Sequence, residues 1–289
     1  MGIQPDTGAG PMLENIYRTL PNFRGKRRIA RHLFEKRLKQ TRDLVVKGKY
    51  GTSYKLPNLS EIIAFDIFVN GIYEEDTHRF LMNHVPKNGC LLDLGANIGA
   101  ISIPLCKRRS DIKVLCVEAA PWIFEYLKYN VEKNQLGNQI KILNKAVSNV
   151  EGTALPFYSP REEFGKGSLA PVFTQEAVMV ECATIDGLRK TFDLPSISLI
   201  KIDIEGFEYF AFQGGRQLLT SGAAPDIIFE FVSWAEEQTN MAKGSAQKLL
   251  MEFGYTLYHL EDEKLIPISN IILDGGASIF ATKRKLTRE

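Results

Sequence analysis

The sequence has few cysteines and no long apolar run. Its four cysteines stand singly within apolar stretches, without a C-x-x-C pair or the Cys and His spacing of a zinc site. They are Cys90, Cys106, Cys116 and Cys182, and we expect them to be buried reduced thiols. No uninterrupted apolar run approaches the roughly 18 residues of a membrane span, and the N-terminus lacks the apolar core of a signal peptide. These absences exclude a disulfide-stabilised mini-protein and predict a cytoplasmic location without a transmembrane segment.

Acidic residues are scarce in one segment near the N-terminus. Residues 24–49 contain eleven Lys and Arg residues but only Glu35 and Asp43, whereas the whole chain of 289 residues has a net charge of only +2. This basic segment, with Ile29 and Leu33 interleaved, suits an anionic partner: a nucleic acid, a membrane surface or an acidic acceptor. The alternative is that it is simply the solvated face of a helix.

A regular alternation of short apolar runs and helical patterns begins after residue 89. It is typical of a mostly parallel sheet with crossover helices. Seven strands are predicted, at 90–94, 113–118, 140–144, 198–203, 226–231, 256–260 and 278–282. Five helices are predicted between them, at 98–108, 121–134, 185–191, 206–219 and 235–253. Two further strands, at 154–159 and 178–182, enclose a loop at 160–175, and a loop of this length inside a compact domain is typical of a functional segment.

The N-terminal part has a different pattern. Apolar residues at helical spacing predict two short helices between residues 13 and 38. Short apolar runs between glycines predict a small irregular or hairpin layer over 44–73, and the acidic residues after Tyr73 predict the start of another helix. We therefore divide the chain into a basic N-terminal extension and cap, 1–85, and a main α/β domain, 86–289.

A glycine turn follows the first strand of the main domain. The sequence D-L-G-A-N-I-G at 93–99 joins a strand to a helix, which is how open α/β sheets form a ligand-binding crevice. A dinucleotide site would need G-x-G-x-x-G, but the second and third glycine positions are Asn97 and Ala100. S-adenosylmethionine has no phosphate that requires such close approach, and an acidic residue suits its cationic end. We therefore expect it to be bound by Asp93, Gly95, Ala96, Asn97 and Gly99.

An acidic residue also ends the second predicted strand. Glu118 lies 25 positions after Asp93, where a carboxylate accepts hydrogen bonds from both ribose hydroxyls of an adenosine. We add Ala119 beside it, and Asn144 and Ala146 after the third strand, to the expected cofactor-binding residues. The alternative is a sheet whose loop carboxylates are only solvated.

Three stretches of the main domain resemble the FkbM family of S-adenosylmethionine-dependent methyltransferases. They are D-L-G-A-N-I-G at 93–99, K-I-D-I-E-G-F-E at 201–208 and D-I-I-F-E at 226–230, and the resemblance covers about residues 60–283. It implies a Rossmann-like class I methyltransferase fold, with a seven-stranded, mostly parallel sheet whose last strand is antiparallel and helices on both faces. It also implies methyl transfer to a hydroxyl of a sugar or secondary metabolite, with Tyr73 and Glu74 closing over the cofactor.

Carboxylates at the ends of the fourth and fifth strands are the candidates for catalysis. A hydroxyl acceptor must lose its proton during attack, which requires a general base or a metal. We assign Asp203 to the ammonium of the cofactor or the pocket floor, and Glu205 to the acceptor hydroxyl as the base. In the competing and less favoured hypothesis, Asp203, Glu205 and Glu230 together bind Mg²⁺.

Several residues around this centre are candidates for acceptor binding. The loop at 162–173, in which Ser168 follows Gly167, is a candidate lid with Gly165 and Gly167 as its hinges. Trp234 is positioned to stack on a sugar, although packing explains it equally well. His259 is a second candidate base, but a solvated or packed histidine is the favoured interpretation. Two alternative functions stay open: a nucleic-acid methyltransferase that uses the basic segment, and a cofactor-binding protein without transfer activity. The chain has no D/N-P-P-Y/F motif of the kind that amino-group methylases carry.

Overall fold

The computed structural model describes residues 17, 19–21, 23, 25–34, 40–191 and 196–286, which form strands and helices in alternation. The strands are β1 (Arg42–Lys47), β2 (Ser53–Asn58), β3 (Cys90–Leu94), β4 (Lys113–Glu118), β5 (Ile140–Asn144), β6 (Ala146–Val147), β7 (Ala154–Tyr158), β8 (Ala177–Ala183), β9 (Ile197–Ile202), β10 (Asp226–Val232), β11 (Thr256–Glu261), β12 (Lys264–Pro267) and β13 (Gly276–Thr282). The helices are α1 (Lys26–Leu33), α2 (Ile62–Asn70), α3 (Glu75–His84), α4 (Ser102–Arg108), α5 (Pro121–Lys133), α6 (Ile185–Thr191), α7 (Glu208–Gly214), α8 (Arg216–Thr220), α9 (Ser233–Gln238) and α10 (Ser245–Glu252), and a 3₁₀ turn spans Lys49–Gly51.

The main sheet has the strand order β5-β4-β3-β9-β10-β13-β11-β12. The five strands from β5 to β10 are parallel, and β13 is inserted antiparallel between β10 and β11. All seven predicted strands are present, and the last of them, β13, is antiparallel, so the expected fold class is confirmed. The eighth strand, β12, was not predicted. It pairs with β11 through a two-residue turn at Asp262 and Glu263, both of which have positive φ without the glycine that usually marks such a turn.

Helices cover both faces of the sheet, as predicted. Adjacent residues of a strand point to opposite faces, so Leu91 packs in one hydrophobic cluster and Leu92 in the other. The first cluster includes Ile103 of α4 and Leu127 of α5, and the second includes side chains of α6, α7, α8 and α10. All five residues of β3 are buried, which is typical of a central parallel strand.

The two long helices predicted at 206–219 and 235–253 are each divided. In the first, α7 ends at Gly214, where a Cβ would lie 2.3 Å from the carbonyl oxygen of Ser148, and α8 follows. In the second, Asn240 and Gly244 adopt positive φ between α9 and α10. A close approach and two left-handed residues are therefore what interrupt these helical patterns.

The N-terminal part packs onto the main sheet. β1 and β2 form the antiparallel hairpin expected within 44–73, and Phe34 after α1 meets Phe68 of α2 with ring centroids 5.6 Å apart. α1 confirms the second of the two short predicted helices, whereas the first lies almost entirely outside the described residues. α2 was not predicted, because its nine residues are nearly all apolar and carry no helical periodicity. The boundary between residues 85 and 86 stays a prediction.

Two expectations from the composition also concern the fold. All four cysteines are free and buried, as expected. Within the part of the chain that the structure describes, no helix is long and apolar enough to cross a membrane.

Candidate functional site

A cavity of about 800 Å³, including its open mouth, lies at the carboxyl ends of β3, β4 and β9. Gly95, at one wall, has a φ of +77°, and a Cβ on it would lie 1.9 Å from the carbonyl oxygen of Asp203. Only glycine permits this close approach of the two strand ends. The amides of Gly95 and Ala96 both donate to the carbonyl of Val117, at 3.0 Å each, so the turn is also fixed to β4.

Asn97 explains why the turn does not need a second glycine. Its φ is +50°, a left-handed conformation that asparagine tolerates better than most residues. Its side-chain oxygen accepts from the amide of Ile98, at 2.9 Å, and its side-chain nitrogen donates to the carbonyl of Phe164, at 3.0 Å. Asn97 therefore connects the turn to the loop that crosses the cavity.

Glu118 is held at the end of β4 by backbone amides. One carboxylate oxygen accepts from the amide of Asn97, at 2.9 Å, and the other accepts from the amide of Ala120, at 2.8 Å. Burial raises the pKa of Glu118 to about 7, although both hydrogen bonds act to lower it. Each oxygen keeps an unused lone pair. Because Glu118 lines the cavity, this carboxylate fits the two hydroxyls of a ribose.

Asp93 lies beneath the cavity and not in its wall. It has no exposed surface, and it accepts a 2.5 Å hydrogen bond from the hydroxyl of Ser102. The ammonium of Lys201 lies 3.7 Å from the other oxygen of Asp93, 3.3 Å from the carbonyl of Gly95 and 3.6 Å from the carboxylate of Asp203. Burial lowers the pKa of Lys201, but the surrounding carboxylates, led by Asp203 and Asp93, raise it above its ordinary value. Asp93 therefore anchors a lysine that supports the site.

The loop at 160–175 covers the cavity, where a lid was expected. Phe164 is buried, and Gly165, Gly167 and Leu169 line the cavity. The glycines were expected to act as hinges, but neither has a positive φ. They permit close packing, because a Cβ on Gly165 would lie 2.8 Å from the Glu61 carboxylate and one on Gly167 would lie 2.8 Å from the Phe157 ring.

Glu205 reaches the same cavity from the end of β9. Its φ is +53°, a strained conformation for a residue other than glycine. Burial, and then the neighbouring carboxylates of Asp203 and Glu230, raise the pKa of Glu205 to about 8. Asp203 lines the cavity beside it. The two carboxylates thus stand at one wall, and one of them has a pKa near neutral pH.

Glu230 lies in an adjoining cavity, which is also lined by Glu74, Lys201 and Asp203. Desolvation and the charge of Asp203 raise the pKa of Glu230, even though part of the side chain is exposed to solvent. Among the residues that the structure describes, no group of three or more His, Cys, Asp or Glu side chains is arranged to hold a metal ion. Asp203, Glu205 and Glu230 are therefore not gathered into such a group in this structure.

The other candidate residues fall into two groups. Tyr73, Ala119 and Ala146 line the cavity, whereas Gly99, Asn144, Ser168, Trp234 and His259 do not. Asn144 supports the site from behind by donating to the carbonyls of Glu118 and Ala119, and the Ser168 hydroxyl donates to the carbonyl of Glu205, at 3.1 Å. His259 lies on β11, two strands away from β10.

Two further charged residues belong to the site. Lys201 lies in the stretch that resembles the FkbM family but was given no role of its own, and Glu74 was expected, with Tyr73, to close over the cofactor. Burial raises the pKa of Glu74, as does the charge of Asp203, and its side chain is hydrogen-bonded to Tyr73. The signal for Lys201 was a charged residue inside an apolar strand, which is rare unless the residue is paired.

The strand order, the glycine turn and the acidic ends of β4 and β9 define a Rossmann-like methyltransferase. Residues 93–258, more than half of the chain, match the family model of the methyltransferase FkbM domain. The chain therefore belongs to the FkbM methyltransferase family. S-adenosylmethionine is the cofactor that this family and fold imply, and the cavity beside Gly95 and Glu118 fits it.

Similar proteins of known sequence or structure include other methyltransferases. Methyltransferase sdnD of Sordaria araneosa is 28% identical over 136 residues, which are 46% of this chain and 51% of that protein, so the chain spans about half the length of this relative. A SAM-dependent O-methyltransferase from Thermotoga maritima is 15% identical, with 88% of this chain and 83% of that chain covered and a TM-score of 0.42. Precorrin-6y C5,15-methyltransferase from Geobacter metallireducens is also 15% identical, with coverage of 74% and 90% and a TM-score of 0.42.

Proposed function

We propose that the protein transfers the methyl group of S-adenosylmethionine to a hydroxyl of a sugar, glycan or secondary metabolite. The observation that carries this proposal is the position and pKa of Glu205. It lines the cofactor cavity at the end of β9, and burial and the nearby carboxylates raise its pKa to about 8. A hydroxyl needs a base, and a base is most effective when its pKa lies near the working pH.

The residues of the cavity have separate tasks in this reaction. Gly95, Ala96 and Asn97 would hold the cofactor against β3, and Glu118 would accept from its ribose. When bound, the cofactor supplies an electrophilic methyl group. Phe164 and Leu169 of the covering loop keep water from the reacting atoms, which strengthens electrostatic interactions there.

Glu205 acts on the proton of the acceptor. As the acceptor oxygen takes the methyl group, its proton moves to the carboxylate of Glu205. The buried Lys201 holds the Asp203 carboxylate, at 3.6 Å, beside this base. Lys166 counteracts the rise in the pKa of Glu205, so part of the Glu205 population is ionised at neutral pH.

The acceptor and the bond formed are identified by methyl labelling. The protein is incubated with methyl-labelled S-adenosylmethionine and fractionated host extract, and the labelled product is analysed by mass spectrometry. We expect a methyl ether. Label found only on an amine, a nucleic-acid base or carbon would overturn the proposal, as would binding of the cofactor without transfer to any fraction.

The role of Glu205 is tested with a conservative variant. Glu205→Gln should lower kcat about 100-fold or more, because a positioned base contributes at least that factor, while calorimetry should show nearly unchanged affinity for S-adenosylmethionine. The control is Glu237→Gln, an exposed glutamate on α9 that does not line the cavity. Retained activity in Glu205→Gln would remove the base assignment.

A further inference from the structure

An aromatic pair lies outside the cofactor cavity, between the covering loop and α9. Trp234 of α9 is 41% exposed, which is unusual for the largest apolar side chain. Its ring meets that of Phe173 in the loop edge to face, with centroids 5.4 Å apart and planes at 89°. Neither residue lines the cofactor cavity, so the proposed reaction does not explain why these two rings pair here.

Close contacts place the pair beside Glu205. Gly206 has a φ of +96°, and a Cβ on it would lie 2.4 Å from the carbonyl oxygen of Ala235. The backbone next to Glu205 therefore touches the residue next to Trp234. On the other side, the ammonium of Lys166 lies 5.3 Å from the centre of the Phe173 ring, and its charge lowers the pKa of Glu205.

The contacts of Phe173 determine which ring surface is available. The Phe173 ring is engaged by the Lys166 ammonium and by Trp234, so it acts as a support. Trp234 is then the ring that offers an exposed surface to a ligand. Lys166, which lies against the Phe173 ring and pairs with the Glu163 carboxylate at 2.6 Å, offers a hydrogen-bond donor. Glu205, whose neighbour Gly206 touches Ala235, offers an acceptor.

This combination matches the two kinds of surface on a pyranose ring. The axial C–H groups carry a slight positive charge and suit the negative face of an aromatic ring, whereas the hydroxyls at the rim need charged or polar partners. A sugar lying on Trp234 would direct a hydroxyl toward Glu205. The geometry points to Trp234 as the platform of an acceptor subsite for a pyranose ring. The inference rests on the proposed function and narrows its acceptor to a glycoside.

The test measures binding and does not require the true acceptor. A panel of methyl pyranosides, with catechol as a planar comparison, is added to the full chain in the presence of S-adenosylhomocysteine, and binding is followed by saturation-transfer NMR. We expect at least one pyranoside to bind, with saturation strongest at the C–H protons of one ring face. Trp234→Ala should weaken that binding about tenfold, which corresponds to about 1.4 kcal/mol, and Trp234→Phe should retain most of it.

Two control variants show whether pyranoside binding depends on Trp234 in particular. Tyr129→Ala removes an aromatic ring of similar exposure, 38%, on α5 and should leave pyranoside binding unchanged. The chain has only two tryptophans, so in Trp122→Phe the fluorescence reports on Trp234 alone, and the pyranoside should still change it. This second measurement does not depend on the folding of Trp234→Ala.

Three results would overturn the inference: no pyranoside in the panel binds, only catechol binds, or Trp234→Ala binds the sugar as the wild type does. These failures differ from a failure of the proposed function. If Glu205→Gln retains activity but pyranosides still bind through Trp234, the assignment of Glu205 as the base is refuted, whereas the proposed sugar subsite is supported.

Discussion

Left-handed backbone conformations surround the cavity. Three residues other than glycine have positive φ values here: Asn97 (50°), Glu205 (53°) and Glu74 (44°). Asn97 and Glu205 line the cofactor cavity, and Glu74 lines the adjoining one. Such conformations cost about 1–3 kcal/mol each and persist where the surrounding structure imposes them. Glu205 has two such contacts nearby: Gly206, the next residue, packs against Ala235, and the Ser168 hydroxyl donates to the Glu205 carbonyl.

A substitution at Gly95 tests whether the cofactor lies against the glycine turn after β3. Gly95→Ala would place a Cβ 1.9 Å from the carbonyl oxygen of Asp203, at a φ of +77°. We expect a lower thermal midpoint and at least tenfold weaker binding of S-adenosylhomocysteine, measured by melting and calorimetry. Gly137→Ala is the control, because no atom lies within 4 Å of its Cβ position. Unchanged affinity in Gly95→Ala would mean that the cofactor does not lie against this turn.

Glu205 should give both activity and stability a dependence on pH. The base works when ionised, so kcat/KM should rise with pH and reach half its maximum near the folded pKa of about 8. The unfolded carboxyl releases its proton near pH ~4.3, hence stability should fall as pH rises between that value and 8. Glu205→Gln should then melt above the wild type at pH 8.5 and close to it at pH 5. An equal difference at both pH values would contradict the raised pKa.

The bounds of a strand were predictable where a buried apolar run ends at a polar residue or a glycine turn. β3, β4 and β5 begin and end where expected, because each is an apolar run followed by a polar residue or a glycine turn. α2 and β12 were missed, since an almost wholly apolar helix has no polar face to reveal its period and a turn without glycine has no local signal.

The residues at strand ends were predictable from the sequence, whereas contacts between strands were not. Gly95, Glu118 and Glu205 lie at or just after the carboxyl ends of β3, β4 and β9, so parallel pairing brings them to one edge. The ion pair of Lys201 with Asp93 was not predictable, because it joins β9 to β3 and these side chains meet only once the register is set.

The covering loop is tied to the N-terminal part through Asn58. Its side-chain nitrogen donates to the carbonyls of Arg161 and Glu162, at 3.2 and 3.3 Å, and its oxygen accepts from the amides of Ser60 and Glu61. Because these carbonyls and amides are partly or fully buried, loss of the Asn58 side chain would leave them without a hydrogen-bond partner and destabilise the fold. Both segments should therefore loosen together.

Asn58→Ala should lower the free energy of unfolding by roughly 1–3 kcal/mol, because buried donors and acceptors lose their partners. It should also speed limited proteolysis within 160–175, detected by mass spectrometry of the fragments. Asn138→Ala, an exposed asparagine, serves as the control. Equal cleavage rates in the two variants would show that Asn58 does not hold the loop.

Charge pairing joins the basic segment to the rest of the molecule. Arg27 pairs with Asp66, Arg42 with Glu162 at 3.0 Å, and Lys49 with Glu75 at 2.7 Å. The segment has few acidic residues of its own, and its partners lie in the elements onto which it packs. This pairing reduces the charge left for an external anion, and binding to such a partner stays a prediction.

Hydrophobic packing also joins the N-terminal part to the main sheet. Phe34 is buried, its ring centre lies 5.7 Å from that of Tyr17, and it belongs to the same hydrophobic cluster as Leu91 of β3. Phe34→Ala should therefore lower the free energy of unfolding of the whole chain by roughly 3–5 kcal/mol, in a single urea transition. Leu33→Ala, at a neighbouring position that is 49% exposed, should change it by less than about 0.5 kcal/mol. If residues 1–85 were an independent domain, Phe34→Ala would instead split the transition and leave the main one in place, and S-adenosylhomocysteine would raise the midpoint of that main transition alone.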